Sequence, residues 1–269
     1  MSRIAATFER LAAADRTALV TYLVGGDPEP AATVPAMHAL VAAGADLIEL
    51  GIPFSDPEAE GPDIQLGCER ALAHGTRLVD LMAMVTEFRS TDPDTPIVLM
   101  GYLNSVERMG HERFADLAAT AGVDGLILVN LPPEEAGPMR AVLRERAIDL
   151  IFLLSPTTTD ARARLILGQA SGFAYYVSLK GTTGAGNLDV DEVEARIGAL
   201  RALTTLPLAV GFGIRGGEAA RAVGRFADAV VVGSAVVRCM GELGGATDRI
   251  PAALGELVGE LRQAMDARD

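Results

Sequence analysis

Eight short apolar runs, each followed by a stretch with helical spacing, leave few folds open to this chain. The runs are Ala18–Val24, Asp46–Leu50, Pro96–Met100, Gly125–Val129, Asp149–Leu153, Phe173–Val177, Leu206–Val210 and Ala229–Val232. They are apolar without alternation, as parallel strands buried on both faces read. Between them lie helical stretches such as Pro30–Ala43, Asp63–Ala73, Glu112–Ala121, Pro133–Arg146, Thr159–Gln169, Val190–Leu203 and Gly216–Phe226, and the chain closes on amphipathic Ile250–Ala267. This alternation fits a (β/α)8 barrel, with a doubly wound open sheet as the alternative, because pattern alone does not show closure. Ahead of the first strand, Ile4, Phe8 and Leu11 fall at helical spacing among charges. They predict an extra N-terminal helix rather than a signal peptide. With no linker, low-complexity tract or short repeat, residues 1–269 read as a single domain.

Composition narrows the partners. The chain is 49% hydrophobic but only 4% aromatic, so its core is built from Ala, Val, Leu and Ile. A net charge of −13 without a basic stripe argues against nucleic acid and against an anionic membrane surface. No apolar run approaches a membrane span. Cys68 and Cys239 have neither zinc-ligand nor CxxC spacing, which suits thiols in a reducing cytoplasm, and no metal set is expected. His38, His74 and His111 fall in or beside helical stretches, where surface or packing roles are expected.

Barrel chemistry sits on the loops after the strands. Read alone, those loops are rich in glycine and polar residues. The stretch Asp46 to Gln65, DLIELGIPFSDPEAEGPDIQ, stands out. Glu49 interrupts an apolar strand, and a buried acid is costly unless it has a partner or a use. Desolvation should raise its pKa and let it both donate and accept a proton; the competing reading is a salt-bridged core acid, with few cations nearby. Glu60, in the loop, is equally a second acid–base group or a solvated carboxylate.

Gly184, Gly213, Gly233 and Ser234 follow the last three strands. Exposed backbone N–H groups there, with a helix opening at Ser234, suit a phosphate. Gly211 to Gly216 also spells GxGxxG, but the acid expected at the end of the next strand is missing, which disfavours a dinucleotide. Lys180 is the only lysine. It could form an imine with a carbonyl substrate, but a glycine-rich loop makes an ordinary loop cation the better reading.

The strings DLIELGIPFSDP–EGP–IQ, VLMGYLN, LPPEE, SPTTTD, YYVSLKGTTGAG, VGFGI and VVGSA, in this order, resemble the tryptophan synthase α-subunit family over essentially the whole chain. The resemblance implies a (β/α)8 barrel that cleaves indole-3-glycerol phosphate to indole and glyceraldehyde 3-phosphate by a retro-aldol route. It implies Glu49 as the acid–base at indole C3, Tyr22 and Tyr175 in the indole pocket, and Gly184, Gly213, Gly233 and Ser234 around the phosphate. It further implies a β-subunit partner in an αββα complex. That partner would carry pyridoxal phosphate and receive indole through a tunnel, leaving this chain without a cofactor of its own. The loops after strands 2 and 6 would close the site and touch the partner.

Two positions depart from the family pattern. Ala-Asp-Gly-Pro becomes Ala59-Glu60-Gly61-Pro62, so the acid that steadies positive charge at the indole nitrogen is one methylene longer. A misplacement of about 1 Å can cost a hundredfold in rate. Asn130 stands where the family has Asp. These changes motivate an alternative: a catalytically weakened relative that binds a phosphate ligand and activates a β subunit.

Overall fold

The computed structural model describes residues 2–178, 189–211, 213–214 and 216–267. Its strands are β1 (Ala18–Val24), β2 (Leu47–Gly51), β3 (Ile97–Gly101), β4 (Gly125–Leu128), β5 (Asp149–Leu154), β6 (Ala174–Val177), β7 (Leu208–Gly211) and β8 (Ala229–Val232). They pair in parallel in chain order, and β8 returns to β1 with Ala229 opposite Ala18. The sheet is therefore a closed barrel, and the open-sheet alternative falls away.

The helices are α1 (Arg3–Ala13), α2 (Pro30–Ala42), α3 (Pro62–Ala73), α4 (Leu78–Arg89), α5 (Leu103–Met109) and α6 (His111–Ala121), then α7 (Gly137–Glu145), α8 (Asp160–Leu167), α9 (Val190–Arg201), α10 (Gly217–Gly224), α11 (Ser234–Glu242) and α12 (Ile250–Asp266). Helices α4 and α5 add to those expected from the sequence. Helix α4 buries Leu78, Leu81, Met82, Val85 and Phe88, a helical stripe. Helix α7 starts at Gly137 rather than Pro133. Pro138 has no N–H to give to the carbonyl of Glu134, so the turn over 133–136 cannot run on into the helix.

Side chains alternate along each strand. Val20 and Tyr22 of β1, Leu47 of β2, Val98 and Met100 of β3, Tyr175 of β6 and Val231 of β8 fill the barrel interior, while Leu19, Ile48, Leu50 and Leu99 pack outward under the helices. Helix α1 joins the interior cluster. The Ser2 hydroxyl caps it by accepting from Ala5 N–H, and Ile4, Phe8 and Leu11 are buried, with the Phe8 and Phe173 rings 5.9 Å apart. Burying each such side chain contributes about 1.5–3 kcal/mol.

At the strand starts, a repeated device fixes the barrel. Asp46, Asp124 and Asp228 each accept the backbone N–H of a neighbouring strand (Leu19 at 3.0 Å, Ile97 at 2.8 Å and Leu208 at 2.7 Å). Each carboxylate is also paired with an arginine: Arg262 at 3.4 Å, Arg89 at 2.7 Å and Arg201 at 3.0 Å respectively. These repeated charges at the strand starts serve the scaffold, leaving the strand ends free for chemistry.

Candidate active site

Glu49 lies between outward Ile48 and outward Leu50, so strand alternation turns it into the barrel. It is 1% exposed. Tyr22 stands opposite it in the β1–β2 register. Two residues on, Gly51 leaves the space that the Tyr22 phenol fills: a Cβ there would lie 2.2 Å from the hydroxyl. Tyr175 is admitted in the same way, because a Cβ at Gly211 would lie 2.1 Å from its hydroxyl. Glycines at two strand ends therefore let two phenols into one pocket.

The β2–α3 loop folds back to bring Glu60 to the same place. Glu60 N–H donates to the Pro57 carbonyl at 3.0 Å, and the Glu60 carbonyl accepts from Gln65 Nε2 at 2.9 Å. Tyr102, just past β3, accepts the Ala59 N–H at 3.0 Å and stacks on Phe54 with ring centroids 4.9 Å apart. Glu60 is 6% exposed, which decides against a solvated loop acid. Glu49, Glu60, Tyr22 and Tyr175 line one pocket.

Both Glu49 carboxyl oxygens and Glu60 Oε2 are buried with no hydrogen-bond partner among the described residues. That disposes of a salt-bridged Glu49 within this described set. Burial, and secondarily the nearby Glu60, pushes the Glu49 carboxyl up to about 8. Burial pushes Glu60 up to about 7. Desolvation also holds the Tyr22 and Tyr175 phenols well above their ordinary value, so they stay neutral. Unpartnered carboxyls that titrate near neutrality can both give and take protons.

A turn and a helix start also line the pocket. Gly213 (φ +79°), Gly233 and Ser234 line it, with Ser234 opening α11. Gly184 and Lys180 lie outside the described residues. The apolar walls are Met100, Ile64, Ile214 and Val231. Arg238 and Asp63, neither of them a site candidate from the sequence, also line the pocket and pair at 3.3 Å. Arg238 follows Ser234 by four residues on one helix, so spacing alone could have placed it beside the phosphate candidates.

Asn130 is not on this pocket wall. Its Oδ1 accepts from Leu103 N–H at 2.8 Å and its Nδ2 donates to Asn104 Oδ1 at 3.2 Å, tying down the start of α5. The histidines are likewise elsewhere: His38 stacks on Phe88, His74 ends α3, and His111 meets Glu107 at 2.7 Å. Cys68 is a free, buried thiol pushed up to about 11 by desolvation, and Cys239 is free and partly buried. Among the described residues no cluster of three or more acidic, His or Cys side chains could hold a metal, and no helix is long and apolar enough to cross a membrane.

A closed eight-stranded parallel barrel, with one acid inside β2 and one in the loop after it that have no hydrogen-bond partner among the described residues, defines the class: a (β/α)8-barrel enzyme. The family model described as tryptophan synthase alpha chain matches residues 8–266. The tryptophan synthase alpha chain of Thioalkalivibrio sulfidiphilus is 57% identical over 266 residues, covering 99% of this chain and 100% of that one. The Marinobacter nauticus alpha chain is 54% identical over 267 residues, with 99% of both chains covered. The crystal structure of tryptophan synthase subunit alpha from Legionella pneumophila superposes with a TM-score of 0.91 at 46% identity, covering 99% of each chain. The chain belongs to the tryptophan synthase alpha chain family, a family of carbon–carbon lyases.

Proposed function

We propose that this chain cleaves indole-3-glycerol phosphate to indole and glyceraldehyde 3-phosphate, with Glu49 as the proton carrier. The observation that carries this assignment is the Glu49 carboxyl: buried, without a hydrogen-bond partner among the described residues, raised to about 8, and lining a pocket that also holds groups suited to a phosphate.

The protonated Glu49 gives its proton to indole C3, forming a C–H bond and leaving the positive charge on the ring nitrogen. Glu60, ionised, lies beside that charge and stabilises it. The Glu49 carboxylate then takes the proton of the side-chain hydroxyl next to the ring. The carbon–carbon bond breaks, its electron pair returns to the ring to quench the positive charge, and the hydroxyl carbon becomes the aldehyde. Glu49 ends protonated, ready for the next turnover.

Tyr22, Tyr175 and Met100 pack against the indole. The backbone at Gly213 and Gly233 and the first turn of α11 at Ser234 take the phosphate, and Gly184 is assigned to the same cradle by its position in the family motif. The extra methylene of Glu60 is accommodated by the loop, which is fastened by Tyr102 and Gln65. The partner is a tryptophan synthase β subunit in an αββα complex, which carries pyridoxal phosphate and consumes the indole; this chain uses no cofactor of its own. The setting expected for the complex is the cytoplasm.

The test is steady-state indole formation by the purified chain, alone and with a β subunit. Slow cleavage that the partner accelerates supports the proposal. Absence of cleavage in both conditions, with phosphate ligands still bound, would overturn it in favour of a binding subunit that only activates its partner.

A further inference from the structure

Arg238 lies where the phosphate end of the pocket meets the outside. It sits on α11 four residues after Ser234, so both project from one side of the helix. Its side chain is 47% exposed and meets Asp63, in the first turn of α3, at 3.3 Å. Among the described residues it is the one cation on a wall that also carries Glu49, Glu60 and Asp63.

This arrangement sets an electrostatic problem. A phosphate dianion entering the pocket approaches three carboxyl groups. Backbone N–H groups and the end of a nine-residue helix supply only partial positive charge. A full counter-charge at the mouth would both draw the anion in and offset the acids. Guanidinium geometry matches phosphate oxygens bidentately, and its five donors let it keep one contact to Asp63 while engaging the ligand. Asp63 thus holds an otherwise mobile side chain at the rim, and it stands only three residues after Glu60.

We infer that Arg238 is the side-chain cation of the phosphate site, positioned by Asp63, and that it sets the affinity for the phosphorylated substrate. The inference rests on the proposed placement of the phosphate at Gly213, Gly233 and Ser234.

The experiment measures inorganic phosphate and glyceraldehyde 3-phosphate binding by calorimetry, and KM and kcat for indole-3-glycerol phosphate, in the parent, Arg238→Gln and Arg238→Lys. A lost charge-assisted contact predicts Kd and KM raised roughly 10- to 100-fold in Arg238→Gln, with kcat falling far less. The salt dependence of binding should weaken in the same variant. Arg238→Lys should restore only part of the affinity, because it returns the charge without the fork. Equal phosphate affinity in the parent and Arg238→Gln overturns the inference while leaving the phosphate site in place. A parent that binds neither phosphate ligand removes the phosphate placement itself, and the inference with it.

Discussion

The Tyr22 hydroxyl occupies the space that a side chain at Gly51 would need: a Cβ there would lie 2.2 Å from the hydroxyl oxygen and 2.6 Å from the ring carbon that bears it. The phenol is buried and lines the pocket, so it yields only by moving into the site. Gly51→Ala is therefore predicted to cost about 1–3 kcal/mol by overpacking and to lower kcat/KM by about a hundredfold through displaced pocket groups. Gly255→Ala is the control. It lies in α12 with open space around its Cβ position, and helix propensity predicts unchanged activity with a gain of up to about 1 kcal/mol. Thermal melts and initial rates on both variants check the contrast.

The two raised carboxyls fix the pH profile. Glu49 must start protonated, so activity falls as pH rises through about 8. Glu60 must be ionised to face the developing positive charge, so activity rises through about 7. The result is a narrow bell in kcat/KM whose two limbs are macroscopic values of the pair. Glu60→Gln is expected to lower the maximum and remove the acid limb. A profile flat from pH 6 to 9 would break this assignment.

The same burial makes the site a stability cost at high pH. The folded Glu49 keeps a proton that the unfolded chain, titrating near 4.5, gives up. The unfolded state therefore binds fewer protons between these values, and stability declines as pH climbs from about 4.5 to about 8. Glu49→Gln carries no such loss. Its melting temperature should match the parent near pH 5 and exceed it by at least about 3 °C near pH 9. Parallel melting curves at both pH values would refute the burial argument.

Tyr102 fastens the loop that carries Glu60. Tyr102→Phe keeps the stacking on Phe54 but removes the acceptor of the Ala59 N–H. A stability loss of no more than about 1.5 kcal/mol is expected together with a 10- to 100-fold fall in kcat, on the order of what a small misplacement of a catalytic group costs. Rates and a urea titration on one preparation separate the two effects. Unchanged kcat would show that the loop holds itself.

The barrel was legible because unalternating apolar runs leave parallel strands little alternative, and the observed strands lie within two residues of those expected. Helix α4 was equally marked, by Leu78, Leu81, Val85 and Phe88 at helical spacing, yet it sits in a connection where one helix already satisfied the pattern. The strand-start aspartates were also visible as Ala45-Asp46, Val123-Asp124 and Ala227-Asp228; their hydrogen bonds to neighbouring strands depend on register, which no local pattern carries. Glu49 announced itself as an acid inside an apolar strand. Glu60 did not, because its burial depends on a return of the loop over Tyr102, 42 residues away in sequence terms from Glu60.

The central claim is that Glu49 carries the proton in both directions, and Glu49→Gln tests it most directly. The measurement is indole release from indole-3-glycerol phosphate by the variant with a β subunit present, alongside calorimetric binding of inorganic phosphate. The account predicts a rate lower by about 10²–10⁴-fold with phosphate affinity unchanged. A variant that releases indole within a few-fold of the parent rate would contradict it.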